Sequence, residues 1–234
     1  MPFVGALFLA CAVMLGYFCY RRFLVYADNP GNVINYHYWQ AALFISLGFL
    51  FYALPSIVAP PNTDAAIAAG AVVATILNAL GFSHFFMIPL YSTLSKPVFT
   101  VGKHVLFLYT TVIALMLIAL PPASYLDQFG IIHWRFSAAV AWAMLALIGS
   151  AFALNIMLLM RYLARLKRFS FVTTLSLLIT FATTGLGGGY LYIGDDAVFL
   201  AVSTILLYIG VASIFFASVL AAAKHRRGED ILAG

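Results

Sequence analysis

Seven stretches of this chain are almost continuously apolar, and each approaches or exceeds the ~20 residues that a helix needs to cross a bilayer. The predicted spans are 3–20, 39–59, 65–94, 103–120, 136–160, 169–193 and 198–223. Such runs fold as helices because a span must satisfy its own backbone hydrogen bonds. A barrel is disfavoured, since its strands alternate in polarity. The sequence therefore predicts an all-α integral membrane protein, a seven-transmembrane helix bundle forming one domain over residues 1–234.

Composition favours lipid over water as the surrounding medium. Of the 234 residues, 65% are hydrophobic and 8% are charged, and the mean hydropathy is +1.05. A soluble domain carries about 25% charged residues. The net charge of +5 would also suit a nucleic-acid partner, but the basic residues lie in short clusters at the ends of the apolar runs. We therefore expect the lipid bilayer as a partner and no nucleic acid.

The basic residues divide very unequally between the two sides of the predicted bundle. One set of alternate loops, with the C-terminal tail, holds 11 of the 12: Arg21, Arg22, Lys96, Lys103, Arg161, Arg165, Lys167, Arg168, Lys224, Arg226 and Arg227. The other set holds only Arg135. Cytoplasmic loops are enriched in Lys and Arg, so we predict an outside N-terminus and a cytoplasmic C-terminus. The expected location is a bacterial cytoplasmic (inner) membrane.

The predicted spans lack charged side chains in their interiors. All seven acidic residues fall in loops or in the tail, and no Lys or Arg occupies the middle of a span. Buried ionisable groups mark proton relays and ion pathways, so a coupled pump is disfavoured. A retinal photoreceptor is excluded because the last span has no Schiff-base lysine. No nucleophile–base pair and no spaced metal-ligand set can be assembled, so we expect neither an enzyme nor a metal site.

Histidine is the remaining ionisable candidate inside the membrane. His84 lies within the third span, close to Asn78 and Ser83, and either contacts a solute or hydrogen-bonds another helix. His37 and His104 lie near the predicted cytoplasmic interface. Haem b would need two imidazoles at one depth on facing helices, and the helix rise places His84 roughly 10–15 Å deeper than the other two. His37 with His104 is thus the better-matched pair; no cofactor is predicted, and haem b is the alternative.

The sixth span carries a stripe of small and hydroxyl side chains. Thr173, Ser176, Thr180, Thr183 and Gly187 follow one another at spacings of three and four residues, which places them on one helical face. Small hydroxyl residues let membrane helices pack closely and hydrogen-bond each other. The same stripe would also serve as a polar path for a small neutral solute. A similar stripe in the seventh span favours tight packing of these two helices.

The tryptophans and the glycine-rich segment carry further expectations. Trp39 and Trp134 fall at predicted interfaces, where amphipathic rings anchor a protein in the bilayer. Trp142 lies inside the fifth span and is interpreted as a packing residue. The glycines over 185–189 are expected to allow a helix end or a re-entrant bend.

Three classes of function stay open. The first is an uncoupled facilitator or channel for a small neutral solute, with a path drawn from Asn78, Ser83, His84, Thr173, Ser176, Thr180 and Thr183. The second is a non-transporting subunit, either a scaffold or a haem- or quinone-associated anchor, whose partners are other membrane subunits or further copies of the chain. The third is a seven-helix sensor with a separate cytoplasmic partner.

Overall fold

The structure is a computed structural model that describes residues 3–58, 64–127, 129, 131–165 and 171–226. The described residues form seven helices long and apolar enough to cross a membrane: α1 (Phe3–Asp28), α2 (Val33–Val58), α3 (Asp64–Thr93), α4 (Lys96–Ala119), α5 (Ala138–Arg165), α6 (Phe171–Ile193) and α7 (Ala197–Arg226). Between α4 and α5, β1 (Tyr125–Leu126) pairs antiparallel with β2 (Ile132–His133). The architecture is that of a multi-pass α-helical membrane protein.

Three helices extend beyond the apolar runs that revealed them. Helix α1 continues to Asp28, α2 begins at Val33 and α4 begins at Lys96. Hydropathy detects only the part of a helix that fits the hydrocarbon core. Polar residues continue a helix into the interface, because its hydrogen bonds are made within the segment. The predicted spans are therefore correct in number and too short at these ends.

Six of the helices form a closed ring. Helices α1, α2, α3, α5, α6 and α7 each pack against the next, and α7 packs back against α1. Helix α4 lies outside this ring, against α3 and α5. Its outward face is exposed and apolar: Val98, Val101, Val105, Leu108, Val112, Leu115 and Ile118. An apolar face of this kind suits contact with lipid, so α4 lies at the periphery of the ring and contributes little to its interior.

The contact between α6 and α7 depends on small residues. The Ser203 hydroxyl donates to the Gly187 carbonyl at 2.5 Å, and a Cβ added at Gly187 would lie 2.7 Å from the Ser203 carbonyl oxygen. The predicted tight packing of these helices is confirmed. The expected helix end or bend over 185–189 is wrong, because the glycines continue α6 as far as Ile193 and let it approach α7.

Two of the tryptophan interpretations are wrong. Trp134 is 1% exposed and lies 4.4 Å from the Tyr52 ring and 5.9 Å from the Phe8 ring. Its ring cannot anchor the protein in lipid, because it is packed against Tyr52 and Phe8. Trp142 is 65% exposed, since it lies on the outward face of α5.

The two ends of the bundle differ in charge. The basic end carries Arg21, Arg22, Lys96, Lys103 and Arg161, at the C-termini of α1 and α5 and the start of α4. The acidic end carries Asp64, Asp127, Asp195 and Asp196, with the β1–β2 hairpin. The bundle therefore has the charge asymmetry that the orientation prediction uses.

Candidate functional site

The ring of six helices encloses a cavity of about 520 Å³. This central cavity is bordered by apolar side chains from every ring helix: Leu15, Phe18, Ile34, Ala41, Ala42, Ile45, Phe49, Phe82, Phe85, Ile88, Phe152, Leu158, Leu159, Leu177, Phe181, Val211, Ile214 and Ala217. Its polar lining is Arg22, Tyr38, Ser92, Asn155, Thr180, Thr184 and Ser218. The volume falls in the usual range for small-molecule sites, about 300–1,000 Å³, and the predominantly apolar lining is also typical of them.

The central cavity reaches the surface at the basic end. Exposed Ser92, half-buried Arg22 and half-buried Tyr38 form this mouth. The guanidinium carbon of Arg22 lies 5.1 Å from the Phe18 ring centroid and 5.3 Å from that of Tyr38. Both distances are those of cation–π contacts. Arg22 is the one charged residue among the residues that line the cavity.

A hydrogen-bonded layer separates the central cavity from the acidic end. The Tyr52 hydroxyl lies 2.8 Å from the Thr75 hydroxyl and 3.1 Å from the Tyr192 hydroxyl, and all three residues are buried. The amide of Asn78 lies beside the two tyrosine hydroxyls. Because α2, α3 and α6 contribute to it, this layer ties three ring helices together beyond the cavity.

Trp134 closes the ring above that layer. Its ring contacts Tyr52 and Phe8, and its carbonyl accepts a 2.8 Å hydrogen bond from the Ser124 hydroxyl. The β1–β2 hairpin covers it. With the hydroxyl layer beneath, buried Trp134 lies between the central cavity and the acidic end and blocks the cavity on that side.

Charged residues fasten the hairpin to the start of α7. His133 Nε2 lies 3.3 Å from Asp127 Oδ2, and His133 Nδ1 lies 3.0 Å from the Asp195 carbonyl oxygen. Arg135 Nε donates to Asp195 Oδ1 at 3.1 Å, with its guanidinium over the Tyr125 ring. These residues form the acidic-end cluster. The cluster links the α4–α5 loop to the loop before α7 and so supports the closure.

Hydrogen bonding alters two pKa values in the acidic-end cluster. Burial raises the pKa of Asp127, but the backbone N–H groups of Ile131 and Phe129 and the His133 side chain together lower it below its ordinary value of 3.8. Its Oδ1 accepts both N–H bonds at 2.9 Å. The Asp195 carboxylate raises the pKa of the exposed Arg135 guanidinium. The hairpin is therefore built around an ionised Asp127.

The path residues predicted in α3 point in three directions. Ser83 faces α4, where its hydroxyl lies 2.7 Å from that of Thr110. His84 faces α2, and Asn78 belongs to the layer beyond the central cavity. None of these three is among the residues that line the cavity. Consecutive residues of a helix point about 100° apart, so proximity in sequence did not place them on one surface.

His84 pairs with His37. Their Nδ1 atoms are 3.0 Å apart, so one donates a hydrogen bond and the other accepts it. The expected difference in depth is wrong, since α2 begins before His37 and the last turns of the 30-residue α3 extend past the level of His84. Haem iron would need to lie between two imidazoles, and this pair is already in contact. Exposed His104 contacts the Thr100 carbonyl of its own helix, and it does not join them.

The hydroxyl stripe of α6 is used mainly for helix packing. Thr180 borders the central cavity, but its hydroxyl contacts the Ser176 carbonyl at 2.8 Å and the Gly210 carbonyl of α7 at 3.1 Å. The Thr183 hydroxyl donates to the Ile179 carbonyl at 2.7 Å. Ser176 is half-buried, and the side chain of Thr173 lies outside the described residues.

The candidate site residues that the sequence did not reveal are Arg22, Trp134 and the phenylalanines of the central cavity. In the sequence, Arg22 is interpreted as a topology determinant. A basic residue after an apolar run is expected at a cytoplasmic helix end whether or not it also lines a binding site. A signal was present: Arg22 lies one helical turn from Phe18, a spacing that brings a guanidinium over an aromatic ring. The phenylalanines carry no such signal, since lipid-facing and cavity-facing rings look alike in sequence.

In comparisons with protein-family models, curated proteins and solved structures, no match to this chain was found. Within the described residues, no group of three or more His, Cys, Asp or Glu side chains is placed to hold a metal ion.

Proposed function

We propose that the protein is an uncoupled membrane facilitator that carries an organic solute through the central cavity. One observation carries this proposal: a cavity of about 520 Å³ lies inside a ring of six helices, with exposed or half-buried lining residues at the basic end and buried Trp134 and Tyr52 toward the acidic end. A central site that is open toward one side is one state of an alternating-access cycle. The opposite state would require Trp134 and the hydroxyl layer to move aside.

The lining of the central cavity favours a solute with a largely apolar body. Six phenylalanines border it: Phe18, Phe49, Phe82, Phe85, Phe152 and Phe181. The Thr180 hydroxyl contacts backbone carbonyls, which weakens the polar path proposed from the sequence. A strongly hydrated solute would lose its hydrogen bonds to water here without replacement. Proton-coupled carriers use ionisable groups inside the membrane. In the described structure the acidic residues lie toward helix ends or in loops, which favours an uncoupled mechanism.

Proteoliposome uptake tests the proposal. Vesicles with the full chain would be given radiolabelled glycerol, urea, benzoate and octanoate. We expect at least one solute with an apolar body to enter faster than in protein-free vesicles, without accumulation driven by a proton gradient. Ala42→Trp fills the cavity and should abolish the excess, whereas Gly149→Ala should retain it, because nothing lies within 4 Å of a Cβ there. Equal rates in both kinds of vesicle would contradict the proposal.

A second function is favoured by the closure of the acidic end. If the Trp134 closure never opens, the central cavity binds its ligand without releasing it on the other side. The protein would then be a ligand-binding subunit or a sensor with a separate partner. Binding of a solute with no accelerated uptake in the same vesicles would support this function over the facilitator.

A further inference from the structure

The mouth of the central cavity combines one cation with an apolar interior. Arg22 is the charged residue among the lining side chains, and aromatic rings occupy the depth of the cavity. Such a site is complementary to a molecule that has an anionic group at one end and a hydrocarbon body. A neutral apolar molecule would leave the cation without a partner, and a small hydrophilic anion would leave the aromatic interior unused.

Arg22 is positioned to receive an anion. The ion pairs of the described structure all lie in the acidic-end cluster, and Arg22 takes part in none of them. Its contacts in the described part of the chain are with the rings of Phe18 and Tyr38. A guanidinium stacked on rings keeps its N–H donors in the plane of its edge, where they can bind a carboxylate or phosphate through two parallel hydrogen bonds.

A smaller cavity lies beside the central cavity at the same end of the bundle. It measures about 210 Å³ and lies between α3 and α5, bordered by Pro89, Leu90, Leu154, Leu158 and Arg161, among others. Leu158 also lines the central cavity, so the two are neighbours separated by that side chain. Arg161 is therefore a second basic residue at this end, and it suits an acidic group at the level of the lipid head groups.

We infer that the central cavity binds an amphiphile with one acidic head group, its carboxylate or phosphate on Arg22 and its hydrocarbon body among Phe82, Phe85 and Phe152. Such an amphiphile would be the solute of the facilitator proposed above, on which this assignment rests. The ligand class also explains why a facilitator is useful. Hydrocarbon enters a bilayer unaided, whereas a charged head group crosses its centre only at a high free-energy cost.

Competition binding tests the ligand class. The full chain in phosphatidylcholine nanodiscs would be loaded with the fluorescent fatty acid cis-parinaric acid. Palmitate, palmitoyl lysophosphatidate and hexadecanol would then displace it. We expect each acid to compete about tenfold better than the alcohol, because a charge-assisted hydrogen bond is lost with the neutral head group. A stronger effect of palmitate would identify a free fatty acid as the source, and a stronger effect of lysophosphatidate a membrane lipid.

Variants separate the head-group contact from the cavity itself. Arg22→Gln should abolish the preference for acids over hexadecanol, so that all three compete about equally. Arg22→Lys should retain part of the preference. Arg21→Gln is the matched control, because Arg21 is the adjacent basic residue and does not line the central cavity. Ala42→Trp should weaken all three competitors.

Two results would overturn the assignment: equal competition by hexadecanol and the acids in the wild type, or an unchanged acid preference in Arg22→Gln. Either result would leave the facilitator intact if uptake of another solute is still abolished by Ala42→Trp. Conversely, Arg22-dependent binding of acids without any accelerated uptake would remove the facilitator and keep the ligand class. Should Arg22→Gln fail to fold, the graded loss in Arg22→Lys decides the question.

Discussion

His37 and His84 are held together by one proton between two Nδ1 atoms 3.0 Å apart. Aromatic rings surround the pair: Phe44 stacks on His84 at 5.6 Å, and Phe107 meets it edge-on at 6.0 Å. The His84 imidazole cannot turn toward water without disturbing these contacts. The pair therefore acts as a polar link between α2 and α3 near the basic end.

A double-mutant cycle on this pair should show strong coupling. His37→Phe or His84→Phe alone leaves the other imidazole buried without its partner, at a cost of about 1–3 kcal/mol. We expect the double variant to lose less stability than the two single variants together, by about 0.5–3 kcal/mol. Thermal unfolding in detergent, followed by dye labelling of buried Cys11 and Cys19, measures this. Additive losses, or an equal loss in the exposed His104→Phe control, would argue against the link.

Trp134 should contribute more to stability than either of the other tryptophans. It is 1% exposed and packs on Tyr52 and Phe8. Truncation of a buried aromatic side chain to alanine costs about 3–5 kcal/mol, so Trp134→Ala should unfold at a markedly lower temperature. Trp142→Ala, at a position that is 65% exposed, should change the transition little. Similar shifts in the two variants would refute the closure assigned to Trp134.

At the level of the elements, α6 and α7 make a close contact through small residues. Gly210 lies opposite the hydroxyl face of α6, and a Cβ there would be 2.7 Å from Thr183 Oγ1 and 3.2 Å from the Thr180 carbonyl oxygen. Overpacking typically costs about 1–3 kcal/mol. Gly210→Ala should therefore lower the unfolding temperature. Gly149→Ala, with open space around its Cβ, should be neutral or slightly stabilising; a harmless Gly210→Ala would mean that the helices are not in close contact.

The hairpin between α4 and α5 should be sensitive to acid. The native pKa of Asp127 lies below its ordinary value of 3.8, so its ionised form stabilises the folded state. That contribution is complete above about pH 4 and is lost as the pH falls through the lower native pKa. Unfolding temperatures at pH 7 and pH 3 should differ more in the wild type than in Asp127→Asn. An equally large difference in the variant would place the acid sensitivity elsewhere.

The sequence predicts the seven helices because lipid imposes long apolar runs on any chain that crosses it. It also predicts the contact of α6 with α7, since the small residues of both helices repeat at helical spacing. The α4–α5 hairpin escaped prediction because its strands are two residues long. The His37–His84 pair was missed for a different reason. Depth was counted from the start of the second apolar run at residue 39, whereas α2 begins earlier, at Val33, and so includes His37.

At the scale of the whole molecule, the ring places the central cavity, its mouth and the closed end along a single axis. The order of the helices around the ring depends on which helix faces pack against each other. All of those faces are apolar in sequence, so neither the peripheral position of α4 nor the central cavity follows from hydropathy. The charge difference between the ends does follow from the sequence. The predicted orientation places the mouth on the cytoplasmic side.

Thiol labelling in spheroplasts tests that orientation. With the basic end in the cytoplasm, Phe129→Cys in the exposed hairpin loop should react with a membrane-impermeant maleimide in intact spheroplasts. Ser95→Cys, between α3 and α4 at the basic end, should react only after permeabilisation; both positions are exposed, so access to the reagent is the difference between them. Background should be low because Cys11 and Cys19 are buried. The opposite labelling pattern would place Arg22 and the mouth of the central cavity outside the cell, and the amphiphile would then be collected from the outer leaflet.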